Sequence, residues 1–266
     1  MANDPPCGPA LPLRPTQVTC HNCSLSRLCL PVSLQEEEIT CLEGIIKRNR
    51  PLHKHEYLIR AGTRVESVYA LRAGAMKTYL LAQDGVEQIT GFHLPGELIG
   101  LDAIGEALYP SYSVALETSM VCAISLHQLE ELAGQIPGLR KQLLHTMSKE
   151  IQAEHEHLSH NRESAEQRLA AFLLNLSARY SKRGLSASNF ILPMSRRDIG
   201  NYLGLSMETV SRLFTRFREM NLIDSSGREL HLLDIQALGQ QGHPYDEGRL
   251  RYPDDVTLKP PGDVPR

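Results

Sequence analysis

Three thiols stand within ten residues of one another. Cys20, Cys23 and Cys29 form a C-x2-C-x5-C run, and a fourth, Cys122, lies in an apolar stretch about ninety residues further on. Thiolates are soft metal ligands. Four of them suit an iron-sulfur cluster, and three clustered with one distant is a common division of its ligands. A zinc tetrahedron also accepts four cysteines, but its usual ligand pairs are two short knuckles and only one C-x2-C occurs here, so zinc stays open as the rival. Cys7 and Cys41 fall outside the set. Cys41 sits in an apolar helical stretch, Ile39 to Ile46, and reads as a small buried hydrophobe, with Cys7 a flexible free thiol. The Pro-rich start has neither a basic nor an apolar signal region, and no apolar run approaches the roughly 18 residues of a membrane span. A cytoplasmic protein with no membrane partner is expected, and in that reducing compartment structural disulfides are not.

A second constellation concerns nucleic acid. The 266-residue chain carries a net charge of -3, yet residues 179 to 231 hold nine Lys and Arg against five Asp and Glu. Within that basic part, Ser195 can cap a helix starting at Arg196, with Asp198 three residues on to bond back and Ile199 and Leu203 on its apolar face. Gly204 ends that helix, Leu205 packs inward and Ser206 caps the next, whose Val210 and Leu213 face back. The small Gly200 allows the two helices to approach. This is the helix-turn-helix pattern. Glu208, Ser211 and Arg212 then share one exposed face near the start of the second helix, where base edges are read in the major groove. Arg196, Arg197 and Arg216 are phosphate candidates, as is Arg228 on a hairpin wing between Leu222 and Leu233. The bland alternative for Glu208 and Arg212 is a surface ion pair.

These groups need a scaffold. From Lys54 to Leu126 short apolar runs alternate with glycines, which reads as an antiparallel β-roll. After Pro137 the period becomes helical: Leu144, Met147, Ile151, Glu154 and Leu158 fall at a/d positions of a helix that would pair with a copy of itself. The expected fold class is α+β, with the β-roll joined by a long dimerisation helix to a C-terminal winged helix-turn-helix. The expected division is a cysteine-rich segment at 1–30, the β-roll at 31–136, the dimerisation helix at 137–161, the DNA-binding unit at 162–238 and a disordered tail at 239–266, rich in Gly, Pro and charge.

Four stretches carry a family resemblance: Cys20-His-Asn-Cys-Ser-Leu-Ser-Arg-Leu-Cys29, Glu87-Gln-Ile-Thr-Gly-Phe-His-Leu94, Leu116-Glu-Thr-Ser-Met-Val-Cys122 and Asp198-Ile-Gly-Asn-Tyr-Leu-Gly-Leu-Ser-Met-Glu-Thr-Val-Ser-Arg212. From about Cys20 to Leu233 the chain resembles the fumarate and nitrate reductase regulators, including Anr-type proteins, oxygen sensors of the cyclic-AMP receptor protein superfamily. The resemblance implies that Cys20, Cys23, Cys29 and Cys122 ligate a 4Fe-4S cluster that oxygen converts to 2Fe-2S, whereupon a homodimer dissociates and DNA is released. Nitric oxide would attack the same cluster. The resemblance further implies that Glu208, Ser211 and Arg212 read TTGAT/ATCAA inverted repeats in double-stranded DNA. Residues Leu81 to Glu87 would contact RNA polymerase, and genes of anaerobic respiration would be activated or repressed. Glu154 would meet its twofold mate in the seam, and two carboxylates there repel, leaving the cluster-free dimer marginal. His155, His157 and His160, in a stretch expected to be more apolar, depart from the family, as does the long tail.

Three other readings exist. A zinc-bound or small-ligand-responsive regulator would share the architecture. A cyclic nucleotide could meet Pro95-Gly-Glu97-Leu, but no Lys or Arg lies between Glu97 and Leu126 to neutralise a buried phosphodiester. A cupin-like metalloenzyme could use His53 and His55, placed on one strand face, with Glu56 pointing to the other. No catalytic constellation accompanies them, so no enzyme is expected.

Overall fold

The structure, a computed structural model, describes residues 18–159 and 163–241, and side chains only to residue 155 at the end of the first of these spans. Cys7, His160 and residues 242–266 of the expected tail lie outside the described residues, as do the side chains of His157 and Leu158.

A turn-rich segment with a 3-10 turn at Leu30–Ser33 leads into α1 (Glu36–Gly44). Three glutamates fill the first turn of α1, where the positive end of the helix dipole favours them, and Glu38 closes a capping box with Gln35. Eight strands follow: β1 (Ile46–Arg48), β2 (Tyr57–Ile59), β3 (Ser67–Ala73), β4 (Met76–Leu81), β5 (Glu87–His93), β6 (Leu98–Ile99), β7 (Tyr112–Ala115) and β8 (Met120–Ser125). They form two four-stranded antiparallel sheets, ordered β1-β8-β3-β6 and β2-β7-β4-β5. The inner faces meet over Ile59, Leu71, Met76, Ile99 and Val121, all 3% exposed or less.

Two helices close the roll. α2 (Leu126–Gln135) buries Leu129, Leu132 and Ala133 against α1 and β3, and α3 (Pro137–Ser159) then runs for 23 residues. α3 leaves Leu144 62% and Ile151 55% exposed, an apolar face with no cover in the single chain. Glu154 stands on the same helix; the residue is exposed in the single chain, yet partial desolvation of its carboxyl by the surrounding chain raises its pKa.

The C-terminal unit comprises α4 (Ala165–Lys182), β9 (Asn189–Ile191), α5 (Arg196–Leu203), α6 (Met207–Glu219), β10 (Ile223–Ser226), β11 (Glu229–Leu232) and α7 (Ile235–Gln241). Strands β10 and β11 make the expected wing, and β9 adds a third strand on β11. α7 continues through Gln241, past the expected start of the tail at residue 239, because Leu238 is fully buried beneath α4 and holds the helix down.

Sequence alone would allow the two units to hang from α3 independently. Instead one core runs across their boundary, uniting Tyr79, Ile89, Phe92 and Leu94 of the roll with Leu169, Leu173, Ile199 and Phe217. Phe92 packs against Phe172 and Tyr202 with ring centroids 5.9 and 5.3 Å away. The backbone amide of Ile89 donates to Asn201 Oδ1 at 2.7 Å, and Asn201 Nδ2 donates to the carbonyl of Glu87 at 2.6 Å. Lys77 pairs with Asp198 at 2.8 Å.

Candidate functional site

The cysteine segment is tied to α1 by groups within it. The backbone amide of Cys20 donates to Glu43 Oε2 at 2.5 Å, and Glu43 also pairs with Arg48. The ring of His21 lies 2.8 Å from Glu36 Oε2 and 3.2 Å from Thr40 Oγ1. Tight backbone bonds, Ser26 N to Cys23 O at 3.1 Å and Cys29 N to Leu25 O at 3.0 Å, fold the loop back so that Cys29 adjoins the buried Leu30. Cys122 comes from β8, where it stands opposite Arg48 of β1 and Ala70 of β3.

The result is that Cys20, Cys23, Cys29 and Cys122 line one small cavity, of about 40 Å³, walled by apolar side chains such as Leu30, Leu42 and Ile124. All four are reduced and partly buried. Burial pushes Cys20 up to about 12, reinforced by Glu43 and by Cys29 and Cys122. Burial also takes Cys29 to about 12, with Cys122 and Cys23 adding to it. Cys122 is raised by burial against the opposing pull of Arg72 and Arg48. The thiols feel one another, and burial keeps Cys20, Cys29 and Cys122 protonated at neutral pH unless a cation stabilises the thiolate, which is what a metal centre supplies. Donor set and apolar enclosure therefore fit an iron-sulfur cluster in kind. Among the described residues no three His, Cys, Asp or Glu side chains converge tightly enough to hold a single ion. Cys41, by contrast, is buried at 4% exposure as expected but is disulfide-bonded, which sequence reasoning did not foresee.

The helix-turn-helix is built by local chemistry. Ser195 Oγ accepts from the amide of Asp198 while the carboxylate of Asp198 reaches back to the Ser195 amide, and Ser206 caps α6 through the amide of Thr209. Gly204 ends α5 in the left-handed conformation at φ 65°. A Cβ on Gly200 would stand 2.7 Å from the carbonyl oxygen of Leu205, so the helices approach there as closely as backbone permits. Val210, Leu213, Phe214 and Phe217 face the core, which turns Glu208, Ser211 and Arg212 outward together.

The phosphate candidates divide. Arg197 is exposed. Arg216 is exposed but pairs with Glu166 at 2.5 Å. Arg196 is half-buried with its guanidinium 3.2 Å over the ring of Phe214, and burial lowers its pKa to about 10. Arg228 donates to the Leu192 carbonyl at 2.8 Å and reaches Glu117 of the roll at 3.4 Å. None of these partners is visible from sequence spacing.

The rival sites look different in place. His53 to Glu56 lie in a turn before β2 rather than on a strand, with His55 at φ 69°, and Glu56 is engaged by Arg50 and by the His53 amide. Glu97, which could have opened a nucleotide cassette, is occupied by Arg179 and Arg183 from the other unit.

A β-roll joined through a long helix to a winged helix-turn-helix defines a class of DNA-binding transcription regulator. Residues 49–135 match the family model of the cyclic nucleotide-binding domain and residues 167–241 that of the Crp-like helix-turn-helix domain. The chain is 52% identical to the transcriptional activator protein Anr of Pseudomonas protegens over 82% of its length and 90% of that protein's. It is 46% identical to the fumarate and nitrate reduction regulatory protein of Escherichia coli K12 over 85% of its length and 91% of that protein's. Among solved structures, FixK2 from Bradyrhizobium japonicum superposes with a TM-score of 0.68 at 31% identity, covering 74% of this chain and 98% of that one. The chain belongs to the FNR/Anr group of the CRP/FNR family, a family of transcription regulators and not of enzymes. No helix among the described residues is long and apolar enough to cross a membrane.

Proposed function

We propose that this chain is an oxygen-sensing, cytoplasmic transcription regulator whose Cys20, Cys23, Cys29 and Cys122 hold a 4Fe-4S cluster, and whose homodimer binds TTGAT/ATCAA-type repeats while the cluster is intact. The observation that carries this reading is the gathering of those four thiols, alone among the cysteines of the described residues, around one apolar cavity. A cluster bound there would supply an oxygen-labile charge centre that stabilises the four thiolates, of which burial otherwise keeps Cys20, Cys29 and Cys122 protonated. The chain's own part is to present the thiols: Glu43 and His21 pin the first loop to α1, and the β1-β8-β3 sheet fixes Cys122.

Dimerisation is assigned to α3, where Leu144, Met147, Ile151 and Leu158 supply the apolar seam and Glu154 meets its mate. Exposed Leu144 and Ile151 support the seam, and the raised pKa of Glu154 agrees with a carboxylate that is costly to hold charged near apolar surface. Moving the dimer from mostly dissociated to mostly formed takes about 5.5 kcal/mol, which ordering of the cysteine segment against the helices beside α3 would contribute. Glu208, Ser211 and Arg212 read bases, while Arg197 and Arg216 meet phosphates once Arg216 leaves Glu166; Arg196 braces α5 on α6. The tip of the β4-β5 hairpin, with Leu80, Leu81 and Val86 41–58% exposed, is the surface offered to RNA polymerase.

The test is duplex binding and sedimentation on protein prepared without oxygen, before and after air. The reading expects a dimer that binds the TTGAT/ATCAA duplex and loses both properties in air. Air-insensitive binding would refute oxygen control and leave the DNA reader standing.

A further inference from the structure

The turn Pro95-Gly96-Glu97, between β5 and β6, touches both halves of the molecule. On one side it receives the cysteine segment: Gly96 stands at φ 95°, and a Cβ there would lie 2.9 Å from Leu28 Cβ and 3.7 Å from Leu28 Cδ1. Leu28 immediately precedes Cys29, and its amide donates to Leu25 in the fold of the thiol loop at 2.9 Å. Gly96 itself lines the thiol cavity. Only glycine accepts both this φ and this contact.

On the other side the turn is gripped by α4. Arg179 donates through Nε and Nη2 to the two carboxylate oxygens of Glu97 at 3.0 and 2.6 Å, and Arg183 Nη2 donates to Oε1 at 2.6 Å. Arg179 also reaches the Phe92 carbonyl at 2.5 Å, and Arg183 Nε the Pro95 carbonyl at 2.7 Å. The arginines are little exposed, so these fork-like bonds are strong and directional. Burial alone would raise the Glu97 carboxyl, but the two guanidiniums outweigh it and hold it at about 2. α4 in turn supplies Leu169, Leu173 and Leu176 to the core under the helix-turn-helix.

Between its two contacts the turn has little freedom. Gly96 N donates to Leu71 O at 2.7 Å, Leu71 N to Glu97 O at 2.9 Å, and Leu94 N to Glu97 Oε2 at 2.9 Å. A displacement at Gly96 must therefore be shared by Glu97.

We infer that the Pro95-Gly96-Glu97 turn is a positioning element coupling the thiol loop to the helix-turn-helix unit, with Leu28 on Gly96 at one end and Arg179 and Arg183 on Glu97 at the other. The trigger rests on the cluster reading; the mechanical link does not. Coupling of this kind is reciprocal, so loosening the arginine grip must be felt at the thiol loop.

The experiment uses the full chain with Glu97→Gln, which keeps shape and removes charge, and with Arg183→Ala. Amide hydrogen exchange on the metal-free protein is expected to quicken by at least about threefold at Leu28 and Cys29 in both variants. Faster exchange confined to residues 94–97 and 179–183 would overturn the coupling. In protein prepared without oxygen, Glu97→Gln is expected to keep wild-type iron content while the ratio of duplex affinity before and after air falls by at least about fivefold. An equal loss of affinity in both states, as a merely structural role would give, would overturn it as well. Metal analysis of the wild type registers separately any failure of the cluster reading, and the exchange comparison judges the turn regardless.

Discussion

Gly200→Ala sets two effects of opposite sign against each other. Gly200 lies inside α5, where replacing glycine by alanine ordinarily gains up to about 1 kcal/mol of helix stability. Here the added methyl would stand 2.7 Å from Leu205 O and 3.3 Å from the carbonyl carbon of Ser206, both backbone atoms that no rotamer change can move aside. Overpacking of that sort costs about 1–3 kcal/mol, so the net expectation is destabilisation of about 1 kcal/mol. Because one core joins this unit to the roll, that lowers the melting temperature of the whole chain by roughly 2–4 °C. The relief available is to push α6 away from α5, which carries Glu208, Ser211 and Arg212 out of register with the groove. Calorimetry and duplex binding on the variant are therefore expected to show lower stability together with weaker binding. A variant that melts higher and binds as tightly would show that propensity wins and that the close approach of the helices does not matter.

Other expectations follow from the same structure. Arg212→Ala, at an exposed position on α6, is expected to leave the melting temperature unchanged and to cost about 1–3 kcal/mol of discrimination at one base pair, measured by competition with substituted duplexes. Ile151→Glu on the open face of α3 is expected to leave the monomer folded and abolish dimers in anaerobic sedimentation, whereas Glu154→Ala is expected to strengthen association of the air-treated protein; a fully monomeric Glu154→Ala would refute the repulsion argument. In acid, two groups remove stability in sequence. Burial of His93 lowers its pKa to about 4, so its contribution is complete above about 6.5 and declines as pH falls toward 4; Glu97, held at about 2, contributes above about 4.5 and loses its effect as pH falls toward 2. Urea titrations across pH 7 to 3 check both windows, and a flat profile would contradict them.

The helix-turn-helix was legible because its determinants are local: two serine caps, one turn glycine and apolar residues at helical spacing. The thiol set was legible as residue types, but the meeting of Cys122 with the loop depends on β8 lying between β1 and β3, a long-range pairing that no motif encodes. The grip of Arg179 and Arg183 on Glu97 spans more than eighty residues, and the Arg196 stack on Phe214 needs the angle between two helices. Sequence reasoning sought a cation for a buried phosphodiester only as far as Leu126, and the two arginines that hold Glu97 itself come from α4. It also placed His53 and His55 on a strand that begins two residues later.

The most direct test of the central claim is the metal and sulfide content, with the visible spectrum, of protein purified without oxygen and then exposed to air. The account expects a brown protein with four irons and matching sulfide per chain, bleaching in air, and loss of that iron in each of Cys20→Ser, Cys23→Ser, Cys29→Ser and Cys122→Ser. A colourless protein with one zinc per chain, unchanged by air, would contradict it.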